Sequence, residues 1–212
     1  MRAAEFTPLV QEYEQGTPHA REINQTLTQA GYRRLGGGVD AAAWGRADGP
    51  VIKIIMPDSF DSRPAMKTFK RFWRLTQARP SPHWPRYRTM RDEAGQESVF
   101  AKFEIRGRTY LQIAMERLYR LNDIDRVMIQ DMSDDIERGR SFQDWQASNQ
   151  DEWHTVESWL KKNQQQLPGL WAAIQAAYKL SDRKYEWDLH AGNVMKRRDG
   201  TFVITDPWVR FE

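Results

Sequence analysis

The sequence predicts an α+β fold of two lobes, with an antiparallel sheet in the N-terminal lobe and mainly helices in the C-terminal lobe. Three observations support this prediction. Short apolar segments separated by turn residues dominate the chain up to about residue 118. Helical periodicity dominates from about residue 122 to residue 180. Two further short strands, joined by the turn residues Arg198-Asp199-Gly200, follow the helices.

Composition narrows the class of protein. The 212 residues contain 29% charged and 40% hydrophobic residues, which suits one domain or two small lobes with a substantial core. There is no cysteine, so disulfides and thiolate chemistry are excluded and a reducing cytoplasm is expected. The net charge of +3 is too small to predict nucleic-acid binding. No apolar run is long enough to predict a membrane span, and the four histidines show no zinc-ligand spacing.

The first lobe is predicted element by element. Residues 6–30 are expected to form two helices, the second beginning at Pro18 and ending before Gly31. A further helix is expected from Pro64 to about Ala78, where a run of prolines ends it. The strands predicted in this half of the chain are residues 32–35, 41–46, 51–55, 86–91, 99–106 and 109–115.

The second lobe is predicted to be helical and then to end in a hairpin. The helices are expected over about 122–138, 151–166 and 168–180. Four tryptophans of this region are expected in the core rather than in a ligand cage: Trp145, Trp153, Trp159 and Trp171. The predicted domains are a helical extension (1–30), an N-terminal lobe (31–118) and a truncated helical C-terminal lobe (119–212).

The most informative motif lies in the last quarter of the chain. Asp188 is followed five residues later by Asn193, and an apolar strand then ends in Asp206. Each half of this pattern is common, but the two together are rare. The pattern resembles the acid constellation of the kinase fold, which binds Mg²⁺ and orients a hydroxyl beside the γ-phosphate of ATP. We therefore predict that Asp188 steers the hydroxyl proton and that Asn193 and Asp206 bind Mg²⁺.

A glycine-rich loop and a lysine are predicted to bind the phosphates of ATP. Gly36, Gly37 and Gly38 lie between two predicted strands, where glycine lets the backbone approach a phosphate closely. Taken alone, such glycines more often mark an ordinary turn. Lys53 lies within an otherwise apolar strand, where it would be costly to bury without an anion nearby. We predict that Lys53 contacts the α- and β-phosphates; the alternative is a lysine that snorkels from the strand face.

The adenine site is predicted where the sheet gives way to the helices. Backbone groups near Glu116 and Leu118 are expected to pair with the adenine edge, and the Met115 side chain is expected to line the pocket. This prediction depends on position alone, because backbone contacts place little demand on side-chain identity.

With both ends of the site in view, the chain resembles the early serine/threonine protein kinases of T7-like bacteriophages. The resemblance is strongest in Asp188 to Met195 and in Ile204-Thr205-Asp206-Pro207, and it extends to Leu35-Gly36-Gly37-Gly38 and Val51-Ile52-Lys53. It implies a protein-kinase-like fold that uses ATP and Mg²⁺. It also implies phosphorylation of host proteins of transcription, RNA processing and translation, RNA polymerase among them, in the host bacterial cytoplasm.

Three features depart from ordinary protein kinases. Trp187 stands where many of them carry an arginine, and the six residues after Asp206 are too few for an activation loop. The helix after Lys53 contains no acid to pair with that lysine. The candidate partners are Asp58, Asp61 and acids of the N-terminal helices.

Two alternatives stay open beside the protein kinase. The first is a small-molecule phosphotransferase of the aminoglycoside type, a group that shares the histidine at position 190. The second is a kinase-fold protein with weak catalysis that binds and inhibits a host factor, which the missing acid partner of Lys53 would suit.

Overall fold

The computed structural model describes residues 18–37, 41–47, 49–55, 65–91, 97–105, 107–149, 154–181 and 185–210. Two units divide the chain. Unit 1 comprises Met1–Met66 and Arg86–Arg117, and unit 2 comprises Lys67–Pro85 and Leu118–Glu212. Among the helices that the structure describes, none has the length and apolar character needed to span a bilayer.

Unit 1 is built on an antiparallel sheet. Its strands are β1 (Arg33–Gly37), β2 (Ala41–Gly45), β3 (Val51–Ile55), β4 (Tyr87–Arg88), β7 (Phe100–Ile105) and β8 (Arg108–Met115). They are ordered β1-β2-β3-β8-β4, and β7 also pairs with β8. The short strands β5 (Met90–Arg91) and β6 (Glu97–Ser98) form a separate pair. The apolar sequence of β3 fits its place, because strands pair with both of its edges and four of its five residues are buried.

One helix covers this sheet. Helix α1 (Pro18–Gln29) contributes Ile23 to a core that also contains Trp44 and Ile54. The helix begins at Pro18 as predicted, and the chain leaves it at Gly31, whose φ of +81° favours glycine. The N–H of Tyr32 bonds to the Leu27 carbonyl at 2.8 Å and closes the last turn.

Unit 2 contains most of the helices. They are α2 (Ala65–Ala78, from Lys67 onward), α3 (Asp123–Glu137), α4 (Phe142–Ser148), α5 (His154–Asn163) and α6 (Leu167–Tyr178). Two antiparallel pairs complete the unit: β9 (Tyr185–Trp187) with β12 (Trp208–Arg210), and β10 (Val194–Lys196) with β11 (Phe202–Ile204).

Three of the four tryptophans that were predicted in the core of the second lobe are buried. Trp145 is fully buried, and Trp159 and Trp171 are each 5% exposed. Two of these indole N–H groups have acceptors: Trp145 Nε1 donates to Asp131 at 2.8 Å and Trp159 Nε1 donates to Asp125 at 2.8 Å. The fourth tryptophan of that prediction, Trp153, lies outside the described residues.

The predicted α+β class, with an antiparallel sheet followed by helices, is confirmed. Details differ. Gly36 and Gly37 belong to strand β1 and pair with Ala43 and Ala42, so they are not loop residues as predicted. The short helix α4 was not predicted, although the Ser141 capping box begins it.

Helix α2 belongs mostly to unit 2, whereas the sequence placed it in the N-terminal lobe. The reason is aromatic packing. The Phe72 ring meets Trp84 and Trp208 edge-on, with centroids 5.7 and 5.8 Å away. Arg71 adds a hydrogen bond from Nη2 to the Leu180 carbonyl at 2.5 Å. The predicted lobe boundary after residue 118 lies one residue from the junction between Arg117 and Leu118.

Candidate active site

Strand pairing brings Asp188 and Asp206 to the same end of one ladder. Trp187, the last residue of β9, pairs with Trp208, the first residue of β12. Asp188 and Asp206 each lie just beyond this pair, and the Asp188 N–H donates to the Pro207 carbonyl at 3.0 Å. Both aspartates are half-buried. The β9–β12 ladder therefore places the two predicted acids on neighbouring chain segments.

Asn193 joins them through the turn that precedes β10. The Asn193 N–H donates to the His190 carbonyl at 2.8 Å, which closes a 3-10 turn over Ala191–Asn193. Its side-chain Nδ2 donates to the Asp188 carbonyl at 2.7 Å. From the other side, the Thr205 N–H and Oγ1 both donate to the Asn193 carbonyl, at 2.8 and 3.0 Å. These bonds bring the Asp188, Asn193 and Asp206 segments together within unit 2.

The donor set of this cluster suits Mg²⁺. Because Asn193 Nδ2 is used by the Asp188 carbonyl, Oδ1 is the amide atom that would face a cation. Together with the carboxylates of Asp188 and Asp206 it offers hard oxygen ligands, and Mg²⁺ usually takes only one or two carboxylates from a protein. Within the described part of the chain, no three His, Cys, Asp or Glu side chains gather as a richer metal site.

His190 has a structural role in the same turn. Its Nδ1 accepts the Gly192 N–H at 3.0 Å, which caps the 3-10 turn from its N-terminal side. The side chain is exposed. His190 thus helps to hold the loop between Asp188 and Asn193.

Helix α3 supports this loop from behind. The fully buried Ser133 donates to the Leu189 carbonyl at 3.0 Å and accepts Trp187 Nε1 at 3.2 Å. One turn earlier, Gln130 Oε1 accepts the Ala191 N–H at 3.4 Å. Sequence reasoning missed these residues. The available signal was weak: Gln130 and Ser133 are polar residues three apart on an amphipathic helix.

The β10–β11 hairpin that follows Asn193 is held by a buried ion pair. Lys196 Nζ lies 2.7 Å from Asp125 Oδ1, and the Asp125 side chain is only 3% exposed. On the backbone, Lys196 exchanges both hydrogen bonds with Tyr119, at 2.7 and 2.8 Å. The hairpin turn contains Gly200 with a φ of +91°, as its sequence predicted.

The predicted phosphate ligands lie in unit 1. Lys53 is the central residue of β3, aligned between Ala43 of β2 and Ile113 of β8, and it is the one half-buried residue of an otherwise buried strand. Gly36 and Gly37 lie on β1, with a shift of register between Arg34 and Gly36. Gly38 and the proposed lysine partners Asp58 and Asp61 lie outside the described residues.

The residues of the predicted adenine contacts are Met115 and Glu116 of unit 1 and Leu118 of unit 2. Met115 and Leu118 are 8% and 9% exposed, so both are largely buried. The Glu116 N–H donates to the Arg86 carbonyl at 2.9 Å, and Glu116 Oε1 accepts the Arg86 N–H at 2.8 Å. An adenine contact at Glu116 would therefore have to use the carbonyl rather than the N–H.

Comparison with known proteins finds likenesses among solved structures only. No family model matches the chain, and no curated protein matches it. Among solved structures, the chain is similar to a spectinomycin phosphotransferase crystallised with ADP and spectinomycin, with a TM-score of 0.38 and 14% identity. That similarity covers 89% of this chain and 69% of the other. The shared structure at this score is too small for any residue role to be transferred.

Proposed function

We propose that this chain is an ATP-dependent phosphotransferase with a protein-kinase-like fold. The observation that carries the proposal is the hydrogen-bonded junction of the Asp188, Asn193 and Asp206 segments. The Asp188 N–H bonds to Pro207, Asn193 Nδ2 bonds to Asp188, and the Thr205 N–H bonds to Asn193. A half-buried pair of carboxylates beside an oriented amide is the arrangement that phosphoryl transfer needs, because its catalysis is mainly positioning and charge neutralisation.

In the proposed reaction, Asp188 orients an acceptor hydroxyl and takes up its proton as the oxygen attacks the γ-phosphorus. The bond between the γ-phosphorus and the β–γ bridging oxygen breaks, and ADP leaves with that electron pair. Asn193 Oδ1 and Asp206 would hold Mg²⁺, which neutralises phosphate charge when it is bound with the nucleotide. Lys53 would contact the α- and β-phosphates from the centre of β3, and Gly36, Gly37 and Gly38 would cover them.

The first acceptor that we propose is a serine or threonine hydroxyl of host bacterial proteins in the host cytoplasm. The support comes from the sequence, where Asp206-Pro207 follows the apolar strand as in the phage kinases that the chain resembles. The structure adds that the Pro207 carbonyl accepts the Asp188 N–H. The backbone of residue 207 thus contributes to placing Asp188.

A small hydroxyl-bearing molecule is the second candidate acceptor, and two observations favour it. An open groove of about 430 Å³ lies beside the catalytic loop, lined by Arg126, Val127, Gln130, Asp131, Asp134 and Ala191. Its two aspartates would suit an acceptor that carries amino groups. In addition, β12 begins two residues after Asp206, where protein kinases carry a long peptide-positioning loop.

The test is transfer of labelled phosphate from [γ-³²P]ATP in the presence of Mg²⁺, with bacterial lysate or with aminoglycosides as acceptors. We expect Asp188→Asn to lower the rate by about 10²- to 10⁴-fold while the chain stays folded. The exposed Asp123, changed to Asn, is the matched control and should retain full activity. Label in protein bands supports the first acceptor and label in the small molecule supports the second. Undiminished labelling by the Asp188→Asn protein would reject phosphotransfer by this site.

A further inference from the structure

We infer that Ser133 of helix α3 is a positioning residue for Asp188, a role that rests on the proposed phosphotransferase function. A single buried hydroxyl contacts the residue on each side of Asp188. It donates to the Leu189 carbonyl at 3.0 Å and accepts the Trp187 indole N–H at 3.2 Å. A serine hydroxyl has one donor hydrogen and two acceptor lone pairs, so both bonds can form at once.

Every second residue of the segment from Trp187 to Ala191 contacts helix α3. The Trp187 side chain, the Leu189 carbonyl and the Ala191 N–H all reach this helix. Leu189 is 3% exposed, whereas Asp188 is half-buried and His190 is exposed. Successive side chains of an extended segment point to opposite sides. Anchoring residues 187, 189 and 191 to the helix therefore restrains the backbone on both sides of Asp188.

Helix stability does not explain why a serine occupies the buried position 133. Alanine forms helix better than serine, and burying a hydroxyl costs free energy unless it is fully hydrogen-bonded. Ser133 is 0% exposed, and its two partners lie 54 and 56 residues away in the sequence. Its hydrogen bonds therefore join α3 to the loop and do not stabilise the helix itself.

Asp188 is consequently held from two directions. Pro207 and Asn193 bond to its own N–H and carbonyl, while Ser133 fixes its neighbours. Loss of the Ser133 hydroxyl would leave the first set of bonds in place and release the second. Since a displacement of about 1 Å at a catalytic group can cost about 10²-fold in rate, even a small release should be visible in turnover.

The kinetic test compares Ser133→Ala with Ser148→Ala. Ser148 is an exposed serine of α4 whose Oγ donates to the Trp145 carbonyl at 2.9 Å, so its removal deletes one similar bond away from the loop. We expect Ser133→Ala to lower kcat about tenfold or more with the KM for ATP changed less than about twofold. Ser133→Thr, which keeps the hydroxyl, should recover part of the loss, and Ser148→Ala should match wild type.

Hydrogen–deuterium exchange gives a readout that needs no activity. The backbone amides of residues 188–193 should exchange faster in Ser133→Ala than in Ser148→Ala or wild type, while those of α5 and α6 stay unchanged. A wild-type chain that transfers no phosphate would reject the proposed function. Unchanged exchange in Ser133→Ala would reject the positioning role, whichever way the activity assay turns out.

Two further outcomes would also overturn the inference. One is a kcat of Ser133→Ala within about twofold of wild type. The other is faster exchange throughout unit 2, which would indicate a general loss of stability. If Ser133→Ala does not fold, Trp187→Phe carries the test, since it removes the indole donor and keeps an aromatic ring. Trp187→Phe should then reproduce the loss of kcat, and a wild-type kcat would contradict the role.

Discussion

Gly192 lies in the tight turn between His190 and Asn193. A Cβ built at this position would lie 2.5 Å from His190 Cε1 and 2.8 Å from its Nδ1. The same ring nitrogen accepts the Gly192 N–H at 3.0 Å. The hydrogen bond and the close approach explain glycine here, because any side chain would push the histidine ring out of its capping position.

We predict that Gly192→Ala lowers the rate of phosphoryl transfer about tenfold or more, because the turn that carries Asn193 must shift. The rate of the purified variant with saturating MgATP is the measurement. Gly49→Ala is the matched control, since its Cβ would meet Arg46 Cβ at an ordinary 3.5 Å. The double variant Gly192→Ala/His190→Ala should be faster than Gly192→Ala alone. An equally slow double variant would contradict the steric explanation.

At the scale of elements, Asp125 ties helix α3 to strand β10 and helix α5. Its Oδ1 accepts both Lys196 Nζ, at 2.7 Å, and Trp159 Nε1, at 2.8 Å. The Lys196 ammonium also lies 4.2 Å from the centre of the Phe202 ring. One carboxylate therefore satisfies two buried donors, and its removal would leave both without this partner.

We predict that Asp125→Ala lowers the free energy of unfolding by about 3–5 kcal/mol, because it leaves a buried charge unpaired. Urea unfolding followed by circular dichroism is the measurement. Asp123→Ala, in the exposed first turn of the same helix, should cost less than about 1 kcal/mol. Similar losses in the two variants would show that the buried pair contributes little beyond an ordinary surface acid.

The segment before β4 adds to the edge of β11. The Ile204 N–H donates to the His83 carbonyl at 2.9 Å, and His83 Nδ1 lies 2.9 Å from the Phe202 carbonyl. Burial lowers the pKa of the His83 imidazole, and the positive charge of Arg197 acts in the same direction, against the hydrogen bond to Phe202. Folding therefore favours the neutral ring, which donates from Nδ1 to that carbonyl.

The lowered pKa of His83 makes the free energy of unfolding depend on pH. Because the His83 pKa is lower in the folded chain than its ordinary value of about 6.5, the unfolded chain binds more protons in that window. This contribution to stability is present above about pH 6.5 and is lost progressively as the pH falls below that value toward the lower pKa of the folded state. Urea unfolding from pH 5 to pH 8 should show a smaller decline in His83→Gln than in wild type. His154→Gln, at a fully exposed position, should keep the wild-type decline.

At the scale of the whole molecule, the described residues form a hydrophobic core in each of the two units. Ile23, Trp44 and Ile54 belong to the core of unit 1. The core of unit 2 is larger and includes Phe72, Met132, Trp145 and Trp171. The predicted magnesium ligands lie in unit 2, while Lys53 and the glycines lie in unit 1.

We predict that MgATP raises the melting temperature of the wild-type chain, because a ligand of the folded state stabilises it by about 2.7 kcal/mol at one hundred times its Kd. Differential scanning fluorimetry with and without MgATP is the measurement. Asp206→Asn should lose most of the shift, and ATP with EDTA should give a smaller shift than MgATP. Asp199→Asn, in the turn of the β10–β11 hairpin, is the matched control. An equal shift in Asp206→Asn would exclude Asp206 as a metal ligand.

The α+β class, the β10–β11 hairpin and the candidate site residues Asp188, Asn193 and Asp206 could all be predicted from the sequence. The hairpin depends on contacts within residues 194–204, where strand pairing leaves few alternatives for residues so close in the chain. The burial of the tryptophans was predictable for a similar reason, since large apolar side chains favour the core wherever the chain folds.

The partners that support the Asp188 loop and the β10–β11 hairpin became apparent from the three-dimensional structure. The contacts of Ser133 with Trp187 and Leu189, and of Lys196 with Asp125, span more than 50 residues. Phe72 brought α2 into unit 2, and Arg86 engaged the N–H of Glu116. Periodicity tells which face of a helix is buried, but not which distant segment it will meet. Those partners are selected when helices and strands pack, because buried donors and acceptors must be satisfied together.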